Sequence, residues 1–253
     1  MKAQFKYAFI TGLYIRGITF AVIFIMDTVF ITLGTLGLLP IPALITAVSL
    51  GGVAIAAMVT VNIASDVIIA RRMFAPVEAY LYLLTPVPRR KMLFAGVITM
   101  LVMDFVTTVF VITSEVWMSF NLTGLKEMVG HIVLAFRSNP SAVLCVISAA
   151  LLITAGYLLV IMIILFCVTA KKSIFYKTPA SGLLAFLLAC ACFYCVSLLL
   201  LVLAPFGSVQ RYGIFIIITL GGSALPFFIL LLLLEAAGLF IVTSKLMERR
   251  MNI

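Results

Sequence analysis

The chain has 253 residues, 65% of them hydrophobic and only 10% charged, which excludes a soluble globular domain and fits a polytopic helical membrane protein. In a soluble protein the formal net charge of +9 would suggest nucleic acid; at a mean hydropathy of +1.34 it reports membrane orientation and contact with anionic lipid headgroups, so no nucleic-acid partner is expected. The five cysteines, Cys145, Cys167, Cys190, Cys192 and Cys195, all lie in apolar runs and read as free, buried thiols without a metal.

Residues 3–16 place Phe5, Phe9 and Leu13 at steps of four among Lys2, Lys6 and Arg16, the pattern of a helix lying in the cytoplasmic interface or, as the alternative, of the frayed start of the first span. These residues lack the short apolar core and small-residue cleavage site of a secretory signal. A first span is expected over 17–39, with Asp27 near its middle. Pro40-Ile-Pro turns the chain into a second span over 43–64, where Gly51-Gly52 permits a bend or a close neighbour.

A polar island follows at Asp66 to Lys91, carrying Arg71, Arg72, Arg89, Arg90 and Lys91. Pro76 suits the first turn of a helix and Glu78 its positive end, while Thr85-Pro-Val-Pro stops it, so a short cytoplasmic helix is expected over 76–84. A third span, 92–113, carries Asp104. Segment 114–139 is too polar to cross; its spacing of Leu122, Leu125, Val129, Ile132, Val133 and Phe136 predicts an amphipathic helix on the outer surface. Within it Trp117 suits the interfacial belt, and Asn121-Leu-Thr matches a glycosylation acceptor.

The fourth span is expected over 142–169 and the fifth over 182–203. The apolar run 214–220 is too short to cross, since seven helical residues rise only about 10 Å. It reads either as a re-entrant element ahead of a sixth span, 226–242, or as part of one long kinked helix. With both termini cytoplasmic, fourteen of the seventeen Lys and Arg fall inside and three outside, a strong positive-inside bias. The whole chain reads as one transmembrane domain of all-α class with six transmembrane helices. No internal repeat of the inverted kind is visible.

Three carboxylates are expected at membrane depth: Asp27, Asp104 and Glu235. Such groups are candidates for a translocation path, as proton relay, ion ligand or substrate contact, or else hydrogen-bonded packing elements. Asp27 and Asp104 are expected at similar depth, and no basic residue is expected opposite them. His131 is the sole histidine, so catalytic Ser-His pairs and multi-His metal sites have no parts here. No G-x-x-x-x-G-K-[ST] loop occurs, and the chain is expected to catalyse nothing itself.

Two stretches carry a resemblance. The run Tyr82-Leu-Leu-Thr-Pro-Val-Pro-Arg-Arg-Lys-Met-Leu-Phe-Ala-Gly resembles the segment after the cytoplasmic coupling helix of type-2 permeases of ATP-binding-cassette (ABC) transporters. The ending Ser244-Lys-Leu-Met-Glu-Arg-Arg-Met-Asn-Ile is similar to the basic tail of that family, with Pro88 and the long segment 114–139 as departures. The resemblance implies a permease subunit in the plasma membrane, an exporter of an amphipathic peptide, antibiotic or lipid-like substrate, paired as a homo- or heterodimer. Small residues at Gly34 and Gly37, or Gly51 and Gly52, would allow the close contact. It also implies cytosolic ABC ATPase partners that bind the ATP and Mg and meet the outward face of helix 76–84 at Glu78, Ala79 and Tyr82. The rival reading is an ion- or proton-coupled secondary transporter working through Asp27, Asp104 and Glu235; a third is a non-transporting membrane sensor or immunity protein.

Overall fold

The computed structural model describes residues 2–38, 43–73, 89–123, 140–175, 178–203, 208–212, 215–219 and 225–250. Six long helices dominate: α1 (Lys2–Thr35), α2 (Ala43–Met73), α3 (Arg89–Thr123), α4 (Pro140–Ser173), α5 (Ser181–Leu203) and α6 (Leu225–Arg250). All six are long and apolar enough to cross a membrane, over Gly12–Thr35, Ser49–Met73, Arg90–Met118, Ala150–Ser173, Ser181–Leu198 and Pro226–Glu248. Helices are the form such sequences must take in hydrocarbon, because only there does each backbone N–H find its carbonyl within the same segment. Phe105, Leu183, Phe186 and Leu234 stand exposed on the outside of these helices, which suits a surface facing lipid.

Several boundaries differ from the sequence expectation. The N-terminal stretch is not a separate interfacial helix: α1 runs unbroken from Lys2 through the first span. No proline stands between Phe5 and Thr35, and the scattered Gly12, Gly17 and Gly34 cost too little to interrupt so apolar a helix. Helix α2 continues past residue 64 to Met73 and takes Asp66, Arg71 and Arg72 with it, so the first part of the polar island is helical. Likewise α3 passes residue 113 and ends at Thr123. The expected cytoplasmic helix 76–84, with Glu78, Ala79 and Tyr82, and most of the expected outer helix, with His131, lie outside the described residues.

Helix α1 ends on a glycine cap. Gly37 has φ 69°, its N–H bonds the carbonyl of Gly34 at 3.1 Å, and the Leu38 N–H reaches back to Leu33 at 3.0 Å. That pattern satisfies the last carbonyls of the helix, and the left-handed backbone is why a glycine stands there.

Between α5 and α6 the break takes the form of an antiparallel hairpin, β1 (Ser208–Tyr212) with β2 (Phe215–Thr219), in register from Ser208 opposite Thr219 to Tyr212 opposite Phe215. The apolar run 215–219 is therefore extended, not a short helix, and the reading as one long kinked helix is excluded. β-Branched Ile216, Ile217 and Ile218 favour the strand, where their stiff side chains fit better than in a helix.

Contacts divide the chain into two units, residues 1–69 with 98–140, and residues 70–97 with 141–253. In the first, Arg16 of α1 meets Asp104 of α3, the Phe20 ring packs tilted against Phe110, and Asp27 meets Ser114, so α1 and α3 run parallel. Asn62 and Asp66 of α2 reach Arg16, while Gly51 lies beside Glu115, so α2 runs the other way. In the second unit the buried side chains are mostly aliphatic: Ile161, Ile163 and Leu165 of α4, with Phe228, Leu232 and Ala236 of α6. There the side chain of Arg90, at the start of α3, bonds Glu248, near the end of α6, at 2.9 Å. Of the cysteines, Cys167 is buried; Cys190, Cys192 and Cys195 lie on α5, whose membrane-crossing window has no buried residue in the monomer. The expected burial thus fails for α5, because an all-apolar helix gives no sign of which face meets protein and which meets lipid.

Candidate functional site

The first unit holds a charged cluster in its interior. Arg16, Asn62, Asp66 and Asp104 are all buried, with Arg16 only 1% exposed. The Arg16 guanidinium donates from Nε to Asn62 Oδ1 at 3.1 Å and from Nη2 to Asp66 Oδ1 at 3.1 Å; the same Nη2 also donates to Asp104 Oδ1. One cation thus faces two carboxyl groups on two other helices.

Local sequence explains why the three helices can build this. Asn62 and Asp66 are four residues apart and therefore stack on one face of α2, the face that Ser65 and Ile69 also help to bury. Gly12 lies one turn before Arg16 on α1, and a Cβ there would stand 3.1 Å from Arg16 Nη1 and 3.0 Å from Met103 Cε. Its missing side chain leaves room for the guanidinium to fold back against its own helix. Burial of so much charge in hydrocarbon is tolerable only because the groups pair with each other.

The pairing overturns one expectation: a basic residue does stand opposite Asp104. Arg16 looked like an interfacial anchor because it follows Lys2 and Lys6, yet α1 carries it into the bundle and its long side chain reaches both acids. Asp66 is the residue that sequence reasoning missed altogether, since it borders a basic stretch. The available signal was the i, i+4 pair Asn62 and Asp66 inside the apolar run 59–70.

Asp27 belongs to a different level. It is buried and accepts a hydrogen bond from Ser114 Oγ. From Asp104 to Ser114 the helix rises about 15 Å, so Asp27 and Asp104 do not share a depth as expected. The expectation counted both from the start of their spans, but α1 is offset lengthwise along α3, with Arg16 level with Asp104 and Asp27 level with Ser114. Beside Asp27, Glu115 is half-buried and packs its carboxyl against Gly51, where a Cβ would stand 3.0 Å from Oε2. This is the close neighbour that Gly51 allows, while Gly52 meets nothing.

Between the two polar levels lies an apolar layer of Ile23, Ala54, Met58 and Val111, with Phe110 packed against it. Glu235 sits on α6 in the other unit, partly buried, with Oε2 making no hydrogen bond within the described protein. Asp27 and Asp104 are therefore not one site: Asp104 joins Arg16 and Asp66, and Asp27 joins Ser114, while Glu235 belongs to the second unit.

Among the described residues no group of three or more His, Cys, Asp or Glu side chains is placed to hold a metal. No family model, curated protein or solved structure matches the chain.

Proposed function

We propose that the chain is the permease subunit of an ATP-driven transporter of the type-2 ABC class, exporting an amphipathic peptide, antibiotic or lipid-like substrate. The observation that carries the reading is the Arg90–Glu248 ion pair. Arg90 lies in the run Tyr82 to Gly96 and Glu248 in the tail Ser244 to Ile253, so the two stretches whose sequence resembles that family meet at one end of the second unit. A shared basic face at that end suits the cytoplasmic side, with both termini there and the plasma membrane as its location. Six membrane-length helices, broken between the fifth and sixth by the hairpin as re-entrant element, suit the same reading.

In this reading two permease chains, identical or different, enclose the path, and two cytosolic ATPase subunits bind ATP and Mg. Closure of those subunits pushes on a coupling helix at 76–84 through Glu78, Ala79 and Tyr82, and rigid spans carry the movement to the path. Purification from native membranes in mild detergent is the test. An ABC ATPase that co-purifies, and whose hydrolysis is stimulated by the chain, supports the reading; a chain recovered without one and active in reconstituted vesicles without ATP overturns it.

A second reading is favoured by the buried carboxyl groups at Asp27 and Asp104, which suit an ion- or proton-coupled secondary transporter. Its mark would be transport driven by an imposed ion gradient and abolished by an ionophore.

A further inference from the structure

Charge counting in the first unit leaves a remainder. Arg16 brings one positive charge, whereas Asp66 and Asp104 bring two negative ones if both are ionised, all three nearly fully buried. Among the described residues no second cation forms an ion pair with Asp66 or Asp104. On α2 Arg71 is exposed; on α1, Tyr14 is exposed; on α3 the next ionisable group towards its C-terminal end, Glu115, sits with Asp27 beyond the apolar layer. An uncompensated buried charge in hydrocarbon is strongly unfavourable.

The geometry also brings the two acids together. Both contacts fall on the same nitrogen, Arg16 Nη2, which holds Asp66 Oδ1 at 3.1 Å and also bonds Asp104 Oδ1, so one N–H group draws an oxygen of each carboxyl to itself. Two carboxylates have no hydrogen to offer one another; a carboxylate and a carboxylic acid do. Around them, Asp104 Oδ2, Arg16 Nη1, Asn62 Nδ2 and Ser65 Oγ are buried and make no hydrogen bond among the described residues, so the cluster has both an acceptor and donors to spare.

We propose that Asp66 and Asp104 together bind one proton, which makes the Arg16–Asp66–Asp104 cluster neutral and the pair a proton-binding site inside the membrane. A metal cation fits the arrangement less well, because the guanidinium already occupies the point where the two carboxyl groups converge and would repel it. The site requires neither reading of the transport mechanism, and its test involves no transport.

The test uses the full chain, purified in detergent, with two readouts. Infrared spectra at about neutral pH, compared in water and heavy water, should show the exchangeable carbonyl band of a protonated carboxyl. That band should lose the same component in Asp66→Asn and in Asp104→Asn, because the acid left behind is then ionised opposite Arg16. Thermal melting should follow the same logic. A proton held in the folded state and released on unfolding makes stability fall as pH rises, so the wild-type melting temperature should drop from pH of about 6 to about 8. Either single Asn variant should fold and should lose most of that slope, since a neutral amide stands in for the neutral acid.

The double variant Asp66→Asn with Asp104→Asn, which leaves Arg16 unbalanced, should lose most of its folded yield. The proposal is overturned if neither single variant changes the band or the slope, or if both fail to fold. It is also overturned if sodium or potassium, at constant ionic strength and fixed pH, raises the wild-type melting temperature while the singles do not respond, for then a cation fills the place of the proton.

Discussion

The two units of this protein solve the same problem with different interiors. Every fully buried charged side chain among the described residues, Arg16, Asp27, Asp66 and Asp104, belongs to the first unit, on α1, α2 and α3. In the second unit the described buried faces of α4 and α6 are mainly apolar, with small hydroxyls such as Thr169, Thr243 and Ser244 among them. Aliphatic packing gains little from burial in a bilayer, because lipid tails are as apolar as leucine; close contact and dispersion must hold those helices. Directional bonds hold the first unit, and they fix its register: Arg16 finds Asp66 and Asp104 in only one alignment of three helices. The contrast implies that the first unit is intolerant of charge changes and tolerant of size changes, and that the second unit is the reverse.

Removing the cation is the strongest way to break that contrast. Arg16→Met leaves Asp66 and Asp104 facing each other without compensation, with a cost of about 3–5 kcal/mol expected from loss of one partner in a buried pair. Glu235→Gln in the second unit removes a charge that has no ionic partner among the described residues, and its melting temperature should stay at or above that of the wild type. Equal destabilisation by the two changes, read as melting in detergent and as inserted yield, would erase the distinction. Next in size is a cavity in the second unit. Leu165 and Ile161 are fully buried on α4, and Leu165→Ala should cost about 2–5 kcal/mol. Met100→Leu, in the first unit and equally buried, keeps volume and should cost less than about 1.5 kcal/mol.

Much of this could be read in the sequence, for a physical reason that also marks the limit. Length and apolarity decide whether a segment crosses, so six crossing helices were legible, as was the break before α6 from Gly221, Gly222 and Pro226. Which face of each helix meets protein is set by packing, and hydropathy is blind to it in a chain that is apolar on all sides. Arg16 shows the consequence. Its neighbours Lys2 and Lys6 made it look like an anchor, and only the approach of α2 and α3 turns it into the centre of a cluster. Asp66 was hidden in the opposite way, by the basic residues that follow it. The hairpin was hidden because a short apolar run fits strand or helix, although the consecutive isoleucines at 216–218 pointed to strand.

A smaller effect sharpens the picture at the other polar level. Ser114→Ala removes the donor to the buried Asp27 carboxyl, and an orphaned buried acceptor costs about 1–3 kcal/mol. Asp27→Asn keeps an acceptor for Ser114 and should cost less. If Ser114→Ala is silent, Asp27 is held by something other than this bond.

The smallest effect on stability should come from the contact that matters most to the proposed function. Arg90 and Glu248 are 64% and 43% exposed, so their ion pair is screened by solvent and should contribute no more than about 1 kcal/mol. Arg90→Gln and Glu248→Gln should therefore melt within a degree or two of the wild type, and high salt should remove even that difference. If α3 and α6 present a cytoplasmic face to an ATPase, the same substitutions should act on assembly instead. The reversed pair, Arg90→Glu with Glu248→Arg, separates the possibilities: it restores the ion pair while reversing both local charges. Recovered ATPase binding in the reversed pair would assign Arg90 and Glu248 to holding α3 and α6 together. Continued loss of binding with unchanged melting would assign them to the partner's surface, and loss of melting temperature by several degrees in either single variant would show the pair to be far better shielded than its exposure implies.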